Sequence, residues 1–174
     1  EITDSPEITG QAPSEKGGLI SSDEIWSGVV HVNESVRIVD NAKITIEAGT
    51  EVIIKGDENT KIWFDNGAHL EARGGGRLGL VNDQEQIKFS AEGNKWDGLY
   101  FTDDSSSKST LYSVVVNDAK TAINVENQGI TIDLCNFSNN DKSILLTNAS
   151  DVSILNSGFS DSNPIDTPYE GGGK

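Results

Sequence analysis

Three segments in the second half of the chain decide its fold. Residues 109–125 read STLYSVVVNDAKTAINV, residues 130–146 read ITIDLCNFSNNDKSILL, and residues 152–163 read VSILNSGFSDSN. Written one beneath another, they align at two apolar columns: Leu111, Ile132 and Ile154, and Val116, Phe137 and Phe159. The spacing is 21 and then 22 residues. Short apolar groups at such a period are typical of a solenoid whose turns share one core.

Each repeat contains three short alternating apolar groups separated by Asn, Asp, Ser and Gly. This pattern predicts an all-β chain with three short strands per turn, joined by tight polar corners. The third group, residues 123–125, recurs 21 residues later at 144–146. Six earlier groups extend the pattern toward the N-terminus, at residues 44–46, 52–54, 62–64, 70–72, 87–89 and 99–101. The early turns are longer, and their extra residues lie in loops rich in turn formers, where a solenoid tolerates insertions.

Three further strings carry a family resemblance. These are KITIEAGTEVIIKGD (residues 43–57), WFDNGAHLEARGGG (63–76) and QIKFSAEGNKWDGLYF (86–101), followed by the Asn-rich repeats. Together they resemble the right-handed parallel β-helix proteins of the pectin-lyase-like superfamily, over roughly residues 19–163. The resemblance implies a right-handed parallel β-helix and is compatible with an exported surface protein.

Enzymes of that superfamily carry clustered aspartates with a basic partner, or a calcium-binding carboxylate group with a catalytic arginine. The sequence shows neither pattern, because its arginines, Arg37, Arg73 and Arg77, all lie outside the regular repeats. No catalytic residue is therefore assigned, and no cofactor is expected. A binding or structural role is favoured over catalysis.

Composition narrows the function classes. The 174 residues suit one domain, and 28 acidic against 13 basic residues give a net charge of −15. Such a surface repels phosphate backbones and anionic membranes, so neither is an expected partner. No stretch approaches the ~20 apolar residues of a membrane span. The absence of methionine predicts a processed N-terminus, as after removal of a signal or lipoprotein leader, and hence a secreted or cell-surface protein.

The cysteine and the histidines offer little chemistry. Cys135 aligns with Val114 and Ser157, which predicts a buried, inert thiol in the solenoid wall. His31 and His69 lie in different early turns and provide too few ligands for a metal, so no metal site is assigned.

One outward column is the predicted binding site. If the apolar residues on either side point inward, the residues between them point outward, namely Trp63, Tyr100, Asn124 and Leu145. Rungs lie ~4.8 Å apart, so the rings of Trp63 and Tyr100 form a platform of the sort on which sugars stack. The alternative is that these rings are cross-strand packing or lie under the N-terminal segment.

A second column consists of polar corner residues: Asp118, Asn139 and Asp161. Such side chains usually bond one another and the corner backbone, which is the expected interpretation. The alternatives are a divalent-cation site, for which Asp103 and Asp104 offer another oxygen-rich corner, and a pair of catalytic carboxylates of the glycosidase type.

The predicted organisation has three parts. Residues 1–18 form a flexible tether or a strand-forming arm, residues 19–163 the parallel β-helix, and residues 164–174 a C-terminal tail. The preferred function is a non-enzymatic structural or adhesive module that binds a glycan, a matrix protein or another protein. The alternatives are a subunit that self-assembles through open solenoid ends, and a small polysaccharide lyase or hydrolase.

Overall fold

The computed structural model describes residues 12–76, 84–102, 108–161 and 164–167, and every regular element within these ranges is a β-strand. The strands are β1 (Ser14–Ile20), β2 (Glu24–Trp26), β3 (Val29–Ile38), β4 (Lys43–Ile46), β5 (Glu51–Ile54), β6 (Lys61–Phe64), β7 (His69–Arg73), β8 (Ile87–Ala91), β9 (Gly98–Phe101), β10 (Ser109–Tyr112), β11 (Val114–Asn117), β12 (Thr121–Glu126), β13 (Ile130–Asp133), β14 (Asn136–Ser138), β15 (Lys142–Thr147), β16 (Val152–Leu155), β17 (Gly158–Phe159) and β18 (Ile165–Asp166).

These strands stack in parallel as a β-solenoid of about six turns. The small sheet has the order β16-β13-β10-β7-β4-β2, and the large sheet β17-β14-β11-β8-β5-β3-β6-β9-β12-β15-β18, with β1 added beside β3. Every turn from β4 onward has three strands, as the sequence predicted. In the first turn two of the three are one continuous strand, because residues 29–32 of β3 pair with β5 and residues 36–38 pair with β6.

The predicted register is confirmed. Leu111 pairs with Ile132, and Ile132 with Ile154; Val116 pairs with Phe137, and Phe137 with Phe159. Apolar residues at alternate positions face a single interior that runs the length of the coil. Aligned side chains fill this interior, and three pairs of rings stack there: Phe64 with Phe101, Phe89 with Trp96, and Phe137 with Phe159.

The tight corners depend on Asn and Asp, whose short polar side chains tolerate the left-handed backbone region better than most residues do. Positive φ angles recur at equivalent corners of successive turns, in the pairs Asp40 and Asn66, Asp118 and Asn139, and Asn127 and Asn148. In the first pair the Asn66 amide donates to Asp40 Oδ1 at 2.9 Å. The polar residues between the apolar groups therefore specify the corners of the coil.

Both ends of the described chain form β-strands. β1 pairs with β3 from Ser14 to Ile20, so the boundary expected between residues 18 and 19 falls inside a strand. At the other end, Ile165 and Asp166 pair with β15. Four parts of the chain lie outside the described residues: residues 1–11, most of the expected C-terminal tail, Arg77, and the Asp103–Asp104 corner. Within the described ranges there is no helix with the length and apolar character needed to span a membrane.

The basic side chains of the described surface are paired with acidic neighbours, most of them on other strands. Each lysine and arginine of the described ranges lies within 4.0 Å of a carboxylate oxygen. Most of these pairs are exposed, and such pairs are worth only about 0–1 kcal/mol each. The cations neutralise their acidic neighbours, and the surface retains an excess of negative charge.

Candidate binding surface

The predicted column of Trp63, Tyr100 and Asn124 lies on one outer face of the large sheet. Trp63 pairs with Tyr100 across β6 and β9, and Tyr100 pairs with Asn124 across β9 and β12. Arg37 of β3 and Leu145 of β15 extend the column by one rung at each end. We call these five residues the stripe. The structure brings the predicted residues together, and their role in binding stays a prediction.

The stripe is held in place by the core beneath it. The residues on either side of Arg37, Trp63, Tyr100 and Asn124 are buried, and Phe64 and Phe101 stack below Trp63 and Tyr100 with their ring centroids 5.1 Å apart. Trp63 is half-buried, and its Nε1 donates a hydrogen bond to Thr102 Oγ1. The aromatic side chains therefore sit on a rigid, closely packed wall and need little ordering when a ligand binds.

The rings do not form the bare platform that the sequence suggested, because two cations lie against them. The Arg37 Cζ is 4.6 Å from the centroid of the Trp63 ring. The Lys61 Nζ lies 5.5 Å from the Trp63 centroid and 4.9 Å from that of Tyr100. Sequence reasoning missed both cations. Strand alternation could have revealed Lys61, because it precedes Trp63 by two positions and shares its face.

Acidic and amide groups complete the stripe's surroundings. Arg37 donates to Asp65 Oδ2 at 2.6 Å, and Lys61 lies 4.0 Å from Asp97. Burial raises the pKa of Tyr100, and the negative charge of Asp97 raises it further, while a hydrogen bond with Asn124 lowers it. The Tyr100 hydroxyl consequently stays neutral at physiological pH. The stripe combines aromatic surface with closely spaced hydrogen-bond donors and acceptors.

The polar corner column is only partly as predicted. Asn139 Nδ2 donates to Asp118 Oδ1 at 2.6 Å, so these two residues bond each other as expected. Asp161 instead accepts from the backbone and side-chain nitrogens of Asn140, each at 2.9 Å, and from Ser143. It therefore belongs to a separate, more buried set. In this set Asp161 accepts from the Asn140 backbone amide, just as Asn140 Oδ1 accepts from the Ala119 amide at 2.9 Å.

The remaining candidate groups are dispersed. His31 lies in β3 beside Glu15, with its Nδ1 3.1 Å from Glu15 Oε1, while His69 lies in β7. Among the described residues, no group of three or more His, Cys, Asp or Glu side chains is arranged to hold a metal ion. Cys135 is buried, and burial raises the pKa of its thiol to about 12. The thiol is thus the inert wall residue that the alignment predicted.

Comparison with known proteins gives no relative. No family model matches the chain, and no curated protein or solved structure matches it either. What the structure shows is the broader class, a parallel β-solenoid of about six turns.

Proposed function

We propose that this chain is a non-enzymatic, exported or cell-surface β-solenoid module that binds a neutral glycan through the stripe. The observation that carries the proposal is the placement of Arg37, Trp63, Tyr100 and Asn124 on consecutive strands of one outer face. Aromatic rings stack on the apolar faces of sugar rings, while amide, hydroxyl and charged groups bond the sugar hydroxyls. The stripe has both kinds of group within one or two rungs.

A glycan fits this surface better than a protein does. The core of a protein interface is apolar and depleted of charged residues. Here the rings of Trp63 and Tyr100 are already half-buried, and Arg37 and Lys61 lie against them. The exposed apolar area is therefore small, and hydrogen-bonding groups surround it.

The charge distribution favours a neutral ligand. Arg37 is paired with Asp65, and Lys61 lies beside Asp97, so neither cation is left free to bind an anionic sugar. The net charge of −15 also repels a polyanion. The same pairing supports binding rather than hydrolysis, because a neighbouring cation balances each of these carboxylates.

We place the chain in the pectin-lyase-like superfamily as part of this proposal, with a right-handed coil. The support is the combined sequence pattern of residues 43–101 and the parallel strand stacking. A secreted or surface location is supported by the acidic composition and by the resemblance of the sequence pattern to that of exported proteins.

The test compares two tyrosine variants. Tyr100→Ser removes a ring of the stripe, and Tyr112→Ser removes a half-buried, outward tyrosine from the small sheet as a matched control. Binding of cellohexaose, xylohexaose, mannohexaose and laminarihexaose is measured by isothermal titration calorimetry, with hexagalacturonate as the anionic comparison. We expect one neutral hexasaccharide to bind, Tyr100→Ser to weaken it about tenfold, and Tyr112→Ser to leave it unchanged. Absence of neutral-sugar binding, or an equal loss in both variants, would contradict the proposal.

A further inference from the structure

A polar cleft lies near the stripe, where residues 33–35 of β3 face the loop between β5 and β6. Its volume is about 320 Å³. The described residues that line it all have polar side chains: Asn33, Glu34, Ser35, Asp57, Asn59 and Thr60. An adjoining hollow of about 340 Å³ shares Asn33 and Glu34 and continues to Gly17 of β1. The corner thus opens a continuous depression next to the aromatic face.

The local backbone makes room for this depression. A Cβ atom at Gly17 would lie 2.5 Å from Glu34 Cγ, so the missing side chain leaves the space that Glu34 occupies. Asp57 Oδ1 accepts from the Asn59 backbone amide at 2.9 Å and shapes the loop. The side chains of Glu34 and Asn59 make no hydrogen bond or ion pair with any described residue, and both residues are exposed. Two polar groups of the cleft are therefore available to a ligand.

The cleft and the stripe are physically continuous. Ser35 Oγ, in the cleft wall, accepts a hydrogen bond from the Lys61 backbone amide at 3.2 Å. The Lys61 side chain then reaches over the rings of Trp63 and Tyr100. Ser35 also precedes Arg37 by two residues on the same strand face, a separation of about 6.6 Å at the ~3.3 Å rise of a strand. A ligand bound at Trp63 therefore reaches the cleft by passing over Lys61 and Ser35.

We propose that this cleft is a second subsite, which binds the neighbouring sugar residues of the same neutral glycan through their hydroxyl groups. The inference rests on the proposed function of the stripe. None of the described lining residues is aromatic, so the contribution of the cleft is hydrogen bonding by amide, hydroxyl and carboxylate groups. Carboxylates accept from sugar hydroxyls but repel uronic acids, so the cleft selects uncharged sugars.

The geometry sets the direction and the length of the ligand. Asn59 lies in the turn before β6, four residues from Trp63, so their separation is at most roughly 13 Å, the span of four extended residues at ~3.3 Å each. The glycan runs along the strand direction, from the cleft across Lys61 to the stripe. A disaccharide is too short to occupy both places, whereas a hexasaccharide spans them. Affinity therefore increases with chain length only while the cleft is intact.

The experiment uses a cleft variant with a matched control. Glu34→Ala is combined with Asn59→Ala, which removes both hydrogen-bonding side chains, and neither of them makes a hydrogen bond or ion pair with a described residue. The control combines Glu47→Ala with Asn136→Ala, an exposed acid that follows β4 and an exposed amide of β14, whose side chains make no hydrogen bond or ion pair with a described residue. Each protein is titrated with the four neutral hexasaccharides, and its binding of the corresponding disaccharides is followed by ligand-observed NMR.

We expect the cleft variant to bind the hexasaccharide about tenfold more weakly, the equivalent of two ordinary hydrogen bonds. Its disaccharide binding should equal that of the unmodified chain, and the control should match the unmodified chain throughout. Full hexasaccharide affinity in the cleft variant, with affinity lost in Tyr100→Ser, would overturn the cleft and leave the stripe in place. If no neutral hexasaccharide binds the unmodified chain, both proposals are wrong.

Discussion

Phe137→Ala is the most direct test of the shared core. Phe137 is 1% exposed in the fifth turn, and it stacks on Phe159 with ring centroids 5.1 Å apart and planes within 6°. Removing about 150 Å² of buried apolar surface at about 25 cal/mol per Å² costs about 4 kcal/mol. Loss of the stacked pair adds about 0.5–1.5 kcal/mol. The total is a large fraction of the 5–15 kcal/mol, in round terms, that stabilises a typical domain.

The assay separates the two ends of the coil. The three tryptophans, Trp26, Trp63 and Trp96, lie in the first three turns, so tryptophan fluorescence reports those turns, while far-ultraviolet circular dichroism reports the whole coil. In guanidinium titrations of the unmodified chain we expect the two signals to change together. In Phe137→Ala the circular dichroism signal should change at lower denaturant than the fluorescence, because turns interact only with their neighbours.

Phe159→Ala serves as the graded control. Phe159 is only half-buried in the last turn, so its removal should cost about half as much. A Phe137→Ala protein whose unfolding free energy stays within about 0.5 kcal/mol of the unmodified chain would refute the reasoning, since surface positions show changes of that size. Equal losses of unfolding free energy in the two variants would show that the contribution of each ring to stability does not depend on its burial.

Three further predictions follow from buried groups and charge. Because burial raises the pKa of Cys135 to about 12, its thiol should resist Ellman's reagent at pH 8 and react once the chain is unfolded. The raised folded-state pKa also means that its stabilising contribution is complete below the unfolded thiol's pKa and is lost as pH rises toward about 12, so the advantage of the unmodified chain over Cys135→Ala should shrink above about pH 9. Asn140→Ala should lower the unfolding free energy by about 2–4 kcal/mol in denaturant titrations, because it leaves the Ala119 amide and the Val116 carbonyl without their partners; an unchanged value would show that water replaces both bonds. Raising NaCl from about 0.01 M to about 0.15 M shortens the Debye length from ~30 to ~8 Å and should raise the melting temperature of this −15 chain, and CaCl₂ at equal ionic strength should do no more; a larger calcium effect would reveal a specific site.

The parts of the candidate site that depend on backbone register could be predicted from the sequence. The parts that depend on how far a side chain extends, and toward which neighbour, could not. Alternation placed Trp63, Tyr100 and Asn124 in one column, even across the long insertion between β6 and β9. It did not show that Arg37 and Lys61 lie against the rings. Lysine and arginine side chains are long and flexible, so their positions depend on charged neighbours from other turns, such as Asp65 and Asp97.

The same distinction explains the corner residues. The period aligned Asp118 with Asn139 correctly, because both occupy the same left-handed corner of successive turns. Asp161 was placed in that column and instead bonds Asn140, since a carboxylate at a turn accepts from whichever amide the backbone presents. The continuity of β3 through two strand positions was also missed. No residue in β3 marks the absence of a corner strongly enough to be seen in the sequence.

The sequence by itself determined the all-β class, the three-strand turn, the period and the identity of the core columns. Each of these follows from the spacing of apolar and turn-forming residues along the chain. Only the tertiary structure decided which cations cover Trp63 and Tyr100 and which acids neutralise them. It also decided that residues 33–35 meet Asp57, Asn59 and Thr60 to form a cleft. Those features arise between residues tens of positions apart, and stacking of the turns, not the local pattern, brings them into contact.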